Sequence, residues 1–164
     1  MDFPIRKPNR LPDFDYSTPG AYFITICTKN RKCILWDMVG ASIARPHNAR
    51  LSTYGKIVAQ AICDIPLHYP AISVDHYVIM PNHFHLLLQI NTDANGRPMV
   101  APTISTVVQQ LKGVITKQIG QSIWQKLFHD HVVRGEKDYL KIWEYIENNP
   151  AKWKEDCFYR EDYE

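Results

Sequence analysis

The sequence predicts an α+β fold in which an antiparallel sheet is backed by helices. Strand-like runs come in pairs, amphipathic helix-like stretches are few, and the two kinds are grouped along the chain. Regular alternation of strands and helices would instead favour a doubly wound parallel sheet. At 164 residues the chain is long enough to bury one core, so we expect a single domain over 1–164 with a Pro-rich N-terminal arm over 1–19.

The first elements are predicted to be a β-hairpin followed by a loop. Residues 22–28 are rich in β-branched and aromatic side chains, and the turn-like residues 29–32 separate them from a second apolar run at 33–36. Segment 37–50 has no clear hydrophobic period. We therefore expect two paired strands and then a variable loop.

A helix and two further strands are predicted next. Ser52 is a candidate N-cap, and the apolar residues after it recur at helical spacing as Val58, Ala61, Ile62 and Ile65. This helix is expected to end before His68. Strands are predicted at about 72–80 and 83–90, on either side of the break at Pro81-Asn82.

The remainder predicts a loop, two helices and one more strand. A polar loop at 91–98 precedes Thr103, a candidate N-cap for a helix whose apolar positions are Val107, Val108, Leu111, Val114 and Ile115. A strand is predicted at 127–134, and a final helix at 137–148 is ended by Pro150.

Composition and charge exclude several classes of protein. The four cysteines lack CxxC spacing, which argues against a zinc ribbon or a disulfide framework. No apolar run is long enough to span a bilayer and no signal-peptide core is present, so we expect a cytoplasmic protein without a membrane partner. Residues 1–56 hold nine Lys and Arg against four Asp, a balance of +5 in a chain of net charge +2. Its basic clusters, Arg6, Lys7 and Arg10 and then Lys29, Arg31 and Lys32, suit either a phosphate backbone or a solvated face.

The most informative feature is a histidine pair in the run Met80-Pro81-Asn82-His83-Phe84-His85. Residues two apart on a strand point to the same side, so His83 and His85 present both imidazoles to one point while Phe84 faces the other way. Two ligands leave coordination positions open, as a catalytic metal requires. A structural role for the pair is the alternative interpretation.

A second pair, His129 and His131, has the same spacing on the last predicted strand. If this segment lies in the sheet, it could form another metal site, or one histidine could support His83 and His85 as a hydrogen-bond partner of a ligand. Polar residues on an exposed sheet face are the simpler interpretation, because neither flank is a clean apolar strand.

The final predicted helix carries a tyrosine outside its apolar stripe. Tyr139 belongs to that stripe, together with Ile142, Trp143 and Ile146, and is expected to be a packing residue. Tyr145 lies off the stripe, and Asn149 is four residues on along the same flank. A tyrosine oxygen can be a nucleophile, and a nearby divalent ion can polarise the phosphate that it attacks.

Several of these features occur together in a known family. The two runs that carry the likeness are Met80-Pro81-Asn82-His83-Phe84-His85 and Tyr145-Ile146-Glu147-Asn148-Asn149-Pro150, with further likeness in 6–11, 20–28, 124–125 and 128–134. In this order they resemble the single-tyrosine HUH transposases, the insertion-sequence-200-like family, and most closely its REP-associated tyrosine transposase branch. The resemblance covers nearly the whole chain.

The resemblance implies a ferredoxin-like domain with the HUH motif on a central strand. His83 and His85 would be metal ligands for Mg²⁺ or Mn²⁺, Asn149 the third ligand, and Tyr145 the catalytic nucleophile. The expected activity is nicking and rejoining of single-stranded DNA through a 5′-phosphotyrosine intermediate. Relatives of the transposon-encoded type usually have glutamine where Asn149 stands, whereas asparagine is similar to the REP-associated pattern.

The resemblance also implies single-stranded or hairpin DNA as the partner. The expected DNA contacts are Arg6, Lys7, Arg10 and Lys112. Relatives include homodimers and monomers, and the sequence leaves both states open. Two other functions stay open: a hairpin-binding protein that does not cleave, and a metal-dependent hydrolase of a small phosphoester.

Overall fold

The computed structural model describes residues 10–37 and 51–160. Within them four strands and four helices follow one another as β1 (Gly20–Cys27), α1 (Thr53–Cys63), α2 (Ile65–His68), β2 (Ile72–Ile79), β3 (His83–Ile90), α3 (Ile104–Ile119), β4 (His129–Val132) and α4 (Gly135–Asn148). Single 3₁₀ turns lie at Lys29–Arg31 and Trp153–Glu155.

The four strands form one sheet in the order β2-β3-β1-β4, and every neighbouring pair is antiparallel. Helices α1 and α2 connect β1 to β2, and α3 connects β3 to β4, so each crossover skips one intervening strand. This is the ferredoxin-like arrangement. The predicted α+β class is confirmed, with the histidine pair on the central strand β3.

The two faces of the sheet differ in chemistry because side chains alternate along each strand. One face is apolar, and its buried members on β1 and β3 are Tyr22, Ile24, Ile26, Phe84, Leu86 and Leu88. Tyr77 shares this face and contacts Cys63 of α1. Thr25 and His85 stand opposite one another on the other face, which α4 covers.

Helix α4 is attached to the edge strand β2 by specific side-chain contacts. The His76 ring stacks on Trp143 with centroids 4.4 Å apart, and His76 Nε2 lies 2.9 Å from Glu147 Oε2. Tyr139 donates a hydrogen bond of 2.8 Å to Asp75, beside an irregularity in the β2 ladder. Tyr139 is therefore a packing residue, as its position in the apolar stripe predicted.

The predicted hairpin partner at 33–36 is wrong. β1 already pairs with β3 on one edge and β4 on the other, so no edge is free for another strand. Positive φ angles at Asn30 and Arg31 instead turn the chain toward the β2–β3 connection. There the Leu35 amide donates to the Pro81 carbonyl, and the Trp36 indole donates to the Ile79 carbonyl.

The other predicted elements occur, with small shifts in their bounds. Ser52 and Thr103 cap α1 and α3 by accepting hydrogen bonds from the amides of Gly55 and Thr106. β3 has the predicted bounds, whereas β4 is shorter than 127–134. Most of the predicted loop at 37–50 lies outside the described residues. No helix among the described residues has the length and apolar character needed to cross a membrane.

Candidate metal and nucleophile site

His83 and His85 bring their imidazoles together beneath α4. Their Nε2 atoms lie 3.1 Å apart, and the two residues are 0% and 1% exposed. Two ligand atoms that are each about 2.1 Å from a shared ion lie about 3–4 Å apart over ordinary coordination angles. The spacing of the two nitrogens therefore fits a single divalent cation.

The outer nitrogen of each imidazole is held by a polar partner. Asn82 donates through Nδ2 to the carbonyls of Arg31 and Phe158, which leaves its Oδ1 facing His83 Nδ1 at 2.8 Å. Because an amide oxygen can only accept, His83 carries its proton on Nδ1. The Thr25 hydroxyl lies 2.8 Å from His85 Nδ1 and can accept from it in the same way. Such partners orient ligating histidines and leave Nε2 free for a metal.

Burial keeps both imidazoles neutral. Burial, with smaller effects from His85 and Arg31, lowers the pKa of His83 well below its ordinary value of 6.5. Burial lowers the pKa of His85 to about 3. Neutral imidazole is the form that binds metals, so the nitrogens are available as ligands throughout the physiological pH range.

Tyr145 reaches the histidine pair from α4. Its hydroxyl lies 3.5 Å from His85 Nε2, and its ring packs edge-on against Phe23, which stacks on His85. The tyrosine is 43% exposed, so an incoming molecule can meet its hydroxyl. Burial and the nearby Asp156 carboxylate raise the pKa of Tyr145 to about 12. The phenol is therefore protonated at neutral pH in the metal-free site.

Two further oxygens at the site are buried without a hydrogen-bond partner among the described residues. They are Oδ1 of Asn149 and Oδ2 of Asp156. Asp156 Oδ2 lies 3.9 Å from His83 Nε2, and the ligand atoms of His83, His85 and Asp156 all lie within 4.8 Å of one another. Buried polar atoms without partners are costly, and a cation would satisfy both oxygens. The donor set therefore suits a divalent metal.

Asp156, Thr25 and Asn82 were not identified as functional residues from the sequence. The signal for Asn82 was its position directly before the histidine pair. Thr25 and Asp156 are 60 and 71 positions from His85 along the chain. No spacing rule connects residues so far apart, so only the fold brings them to the site.

The exposed side of the site opens into a cavity of about 420 Å³. Tyr145, Asn149 and Asp156 line it, together with the charged residues Lys141, Lys152, Glu144 and Glu155. Tyr145 is exposed along this cavity, whereas His83 and His85 are almost completely buried beneath it. The wall of the cavity carries both cations and carboxylates, and its two lysines are the groups that can contact a phosphodiester.

The second histidine pair lies on β4, and β1 separates it from the first pair on β3. His129 stands opposite Thr25, and His131 opposite Phe23, on the face that carries His85. His131 contacts Asp138 at 2.8 Å. A supporting role for His129 or His131 stays a prediction.

The expected DNA contacts divide into described and undescribed residues. Arg6 and Lys7 lie outside the described residues. Arg10 and Lys112 meet at Phe128, with the Arg10 guanidinium carbon 5.1 Å and Lys112 Nζ 5.8 Å from the ring centre. Lys112 also donates to the Gln125 carbonyl at 2.9 Å, and burial lowers its pKa. Its ammonium therefore already supports the loop before β4.

A ferredoxin-like sheet with two histidines on its central strand and a tyrosine on the helix across them is the arrangement of the single-tyrosine transposase class. Comparison with known proteins narrows the class. A Haemophilus influenzae protein described as a putative REP-associated tyrosine transposase is 30% identical over 147 residues, covering 84% of this chain and 74% of that protein. The chain belongs to the REP-associated tyrosine transposase family.

Two further comparisons give the extent of the likeness. An uncharacterized protein of Haemophilus influenzae is 32% identical over 173 residues, covering 94% of this chain and 93% of that protein. The solved structure of a REP-associated tyrosine transposase bound to a REP hairpin superposes with a TM-score of 0.64 at 24% identity, covering 90% of this chain and 74% of that one. No family model matches the chain.

Proposed function

We propose that this protein nicks and rejoins single-stranded DNA, with Tyr145 as the nucleophile beside a divalent metal held by His83 and His85. The observation that carries the proposal is the 3.5 Å approach of the Tyr145 hydroxyl to His85 Nε2, at a point where two neutral imidazoles converge. A nucleophile next to a cation site is what phosphodiester transfer requires.

The chemistry is a transesterification without any redox step. The Tyr145 oxygen attacks the scissile phosphorus, and the bond from phosphorus to the 3′ oxygen of the upstream nucleotide breaks. The products are a 5′-phosphotyrosine and a free 3′ hydroxyl, so the proton lost by the phenol is balanced by the one that the 3′ oxygen gains. Attack by the same or another 3′ hydroxyl reverses the step and releases Tyr145.

The chain contributes the ligands and the electrostatic setting. His83, His85 and Asn149 would hold Mg²⁺ or Mn²⁺, which would polarise the scissile phosphate and favour loss of the phenolic proton. The Phe23 ring contacts the rings of both His85 and Tyr145 and so holds these two side chains next to each other. Lys141 and Lys152 would contact phosphates of the DNA backbone, beside the carboxylates Glu144 and Glu155 that share the cavity wall.

Hairpin-forming DNA with single-stranded flanks is the proposed substrate. A family relative has been solved with a REP hairpin, and residues 1–56 of this chain have an excess of Lys and Arg that suits phosphate contacts. Arg10 lies next to the rings of Tyr16 and Phe128, and Lys112, whose ammonium bonds the Gln125 carbonyl, adds positive charge beside Phe128. Surfaces of basic and aromatic groups bind nucleic acid through phosphate contacts and base stacking.

The test is to trap the covalent intermediate. The full chain is incubated with Mn²⁺ and end-labelled oligonucleotides that cover every inverted repeat able to fold into a hairpin in the DNA flanking its gene, and adducts are separated on a denaturing gel. The wild-type protein should form a protein–DNA adduct that Tyr145→Phe abolishes. Tyr139→Phe is the matched control, because it removes a hydroxyl from the same helix that bonds Asp75 instead of facing the histidines.

Three outcomes would contradict the proposal. Tight hairpin binding without cleavage in any divalent metal would indicate a recognition protein. Turnover of a small phosphoester without a covalent intermediate would indicate a hydrolase. An adduct that persists in Tyr145→Phe would show that another residue is the nucleophile.

A further inference from the structure

We propose that Asp156 is a direct ligand of the metal, supplying the anionic oxygen that His83, His85 and Asn149 do not provide. The inference deepens the proposed function, because it concerns the same metal site. It rests on the position, burial and unmet hydrogen-bonding capacity of one carboxylate, which the sequence pattern does not indicate.

The carboxylate of Asp156 is held in place rather than free to swing. Its side chain is 2% exposed, and its Oδ1 accepts a hydrogen bond of 2.7 Å from the Phe158 amide. The 3₁₀ turn before it is anchored by the buried Trp153. On the other side, Asn82 Nδ2 donates to the Phe158 carbonyl at 2.8 Å. Asn82 thus links the Asp156 segment, through Phe158, to the start of the strand β3.

The remaining oxygen of this carboxylate faces the histidines. Oδ2 of Asp156 has no hydrogen-bond partner among the described residues and lies 3.9 Å from His83 Nε2. That separation and the 3.1 Å between the imidazole nitrogens both fall within about 3–4 Å, the range expected for two ligands of one ion. This buried carboxylate oxygen and the two unprotonated nitrogens beside it form a group of electron-pair donors that a bound cation would satisfy.

Charge balance points the same way. Two neutral imidazoles and a carboxamide would leave a buried divalent ion without any compensating negative charge from the protein, and the nearby Arg31 adds a positive one. Asp156 reduces this imbalance. Carboxylate oxygen is also the ligand type that Mg²⁺ and Mn²⁺ prefer, whereas imidazoles alone favour softer metals.

Metal affinity tests the assignment directly. Mn²⁺ binding to the full chain is measured by electron paramagnetic resonance for the wild type, Asp156→Asn and Glu136→Gln. Asp156→Asn keeps the shape and the Oδ1 contact but removes the charge, and it should weaken Mn²⁺ binding about tenfold or more. Glu136→Gln removes the same charge from an exposed residue at the start of α4, away from the cavity, and should change affinity less than twofold.

Thermal melting separates ligation from a structural role. In EDTA, Asp156→Asn should melt at the wild-type temperature or higher, because it relieves an unpaired buried charge. The rise in melting temperature on adding Mn²⁺ should shrink in this variant alone. A variant that melts lower in EDTA and keeps the full Mn²⁺ response would assign Asp156 a purely structural role and overturn the proposal.

A gain-of-signal variant covers the case in which Asp156→Asn folds poorly. Asp156→Cys with Co²⁺ should show a sulfur-to-cobalt charge-transfer absorption that the wild type lacks. Because Cys157 and Cys27 are present in both proteins, an absorption found only in the variant comes from the new thiol at position 156. No new absorption would contradict direct ligation.

The two proposals fail in distinguishable ways. If Asp156→Asn binds Mn²⁺ normally while Tyr145→Phe still abolishes the DNA adduct, Asp156 is not a ligand and the proposed function stands. If the wild type forms no adduct but Asp156→Asn loses Mn²⁺, the ligand assignment stands and the proposed function fails. Normal Mn²⁺ affinity with lost adduct formation in Asp156→Asn would instead make Asp156 a proton acceptor for Tyr145.

Discussion

The hydroxyl of Tyr145 lies 3.5 Å from Nε2 of His85, although 60 positions separate the two residues along the chain. The contact forms because α4 crosses the face of the sheet on which β3 presents its histidines. Phe23 on β1 completes it by contacting both rings. The nucleophile and the metal ligands of the proposed reaction are thus brought together within one chain.

The Thr25 hydroxyl should matter for metal binding more than for folding. Thr25→Val is nearly isosteric but removes the 2.8 Å contact with His85 Nδ1, so the imidazole loses the partner that orients it. We expect Mn²⁺ affinity to fall about 10–100-fold, with an unfolding free energy lower by about 1 kcal/mol. Isothermal titration and urea unfolding measure the two effects. Thr25→Ser retains the hydroxyl and should bind nearly as the wild type does; equal loss in both variants would assign the effect to packing.

Asn82 should be a stability determinant as well as a partner of His83. Its side chain is fully buried and joins the Arg31 carbonyl, the Phe158 carbonyl and His83 Nδ1. Asn82→Ala removes the partner of one buried nitrogen and of two half-buried carbonyls, so we expect a loss of about 2–4 kcal/mol in unfolding free energy. Asn82→Asp keeps the oxygen toward His83 but loses both donated bonds. Wild-type stability in Asn82→Ala would show that these contacts contribute little.

Stability of the metal-free protein should fall as the pH drops below 6.5. Burial lowers the pKa of His85 to about 3, and the pKa of His83 is also lowered, while in the unfolded chain both titrate near 6.5. Between these values the unfolded state binds more protons, so acid favours unfolding. Between pH 7.5 and pH 5.5 each histidine should lower the free energy of unfolding by about 1.4 kcal/mol.

Urea unfolding in EDTA at the two pH values measures this loss. His85→Gln stays neutral at both, so it should remove about half of the pH-dependent difference. Exposed His68 provides the control, since His68→Gln should leave the difference unchanged. A wild-type stability that does not change with pH would contradict the burial of the two imidazoles.

Two helical glycines should respond oppositely to alanine. A Cβ at Gly55 in α1 would lie 2.1 Å from the Leu35 carbonyl oxygen, so the backbone near 35 would have to move. We expect Gly55→Ala to destabilise the protein by about 1–3 kcal/mol. Gly113 in α3 has no atom within 4 Å of such a Cβ, and Gly113→Ala should stabilise by about 0.5–1 kcal/mol. Thermal melting of the two variants compares them, and a stabilised Gly55→Ala would disprove the close approach of residue 35 to α1.

The sequence by itself determined the features that depend on short-range geometry. Side chains two apart share a face of a strand, which put His83 and His85 together before any fold was known. The helical repeat separated the packing residue Tyr139 from Tyr145 in the same way, and the caps at Ser52 and Thr103 follow from local hydrogen bonding. The roles of His83, His85, Asn149 and Tyr145 in metal binding and catalysis stay predictions for the experiments above.

Only the tertiary structure decided which distant segments meet. The run at 33–36 has the composition of a strand, but β4 occupies the edge of β1 that it would need, and strand propensity carries no information on that competition. Asp156 lies in a segment with no pattern of its own, and its buried Oδ2 reaches His83 because Trp153 and Phe158 anchor that segment against the histidine strand. Long-range packing of this kind depends on the shape of the whole core, which residue spacing does not encode.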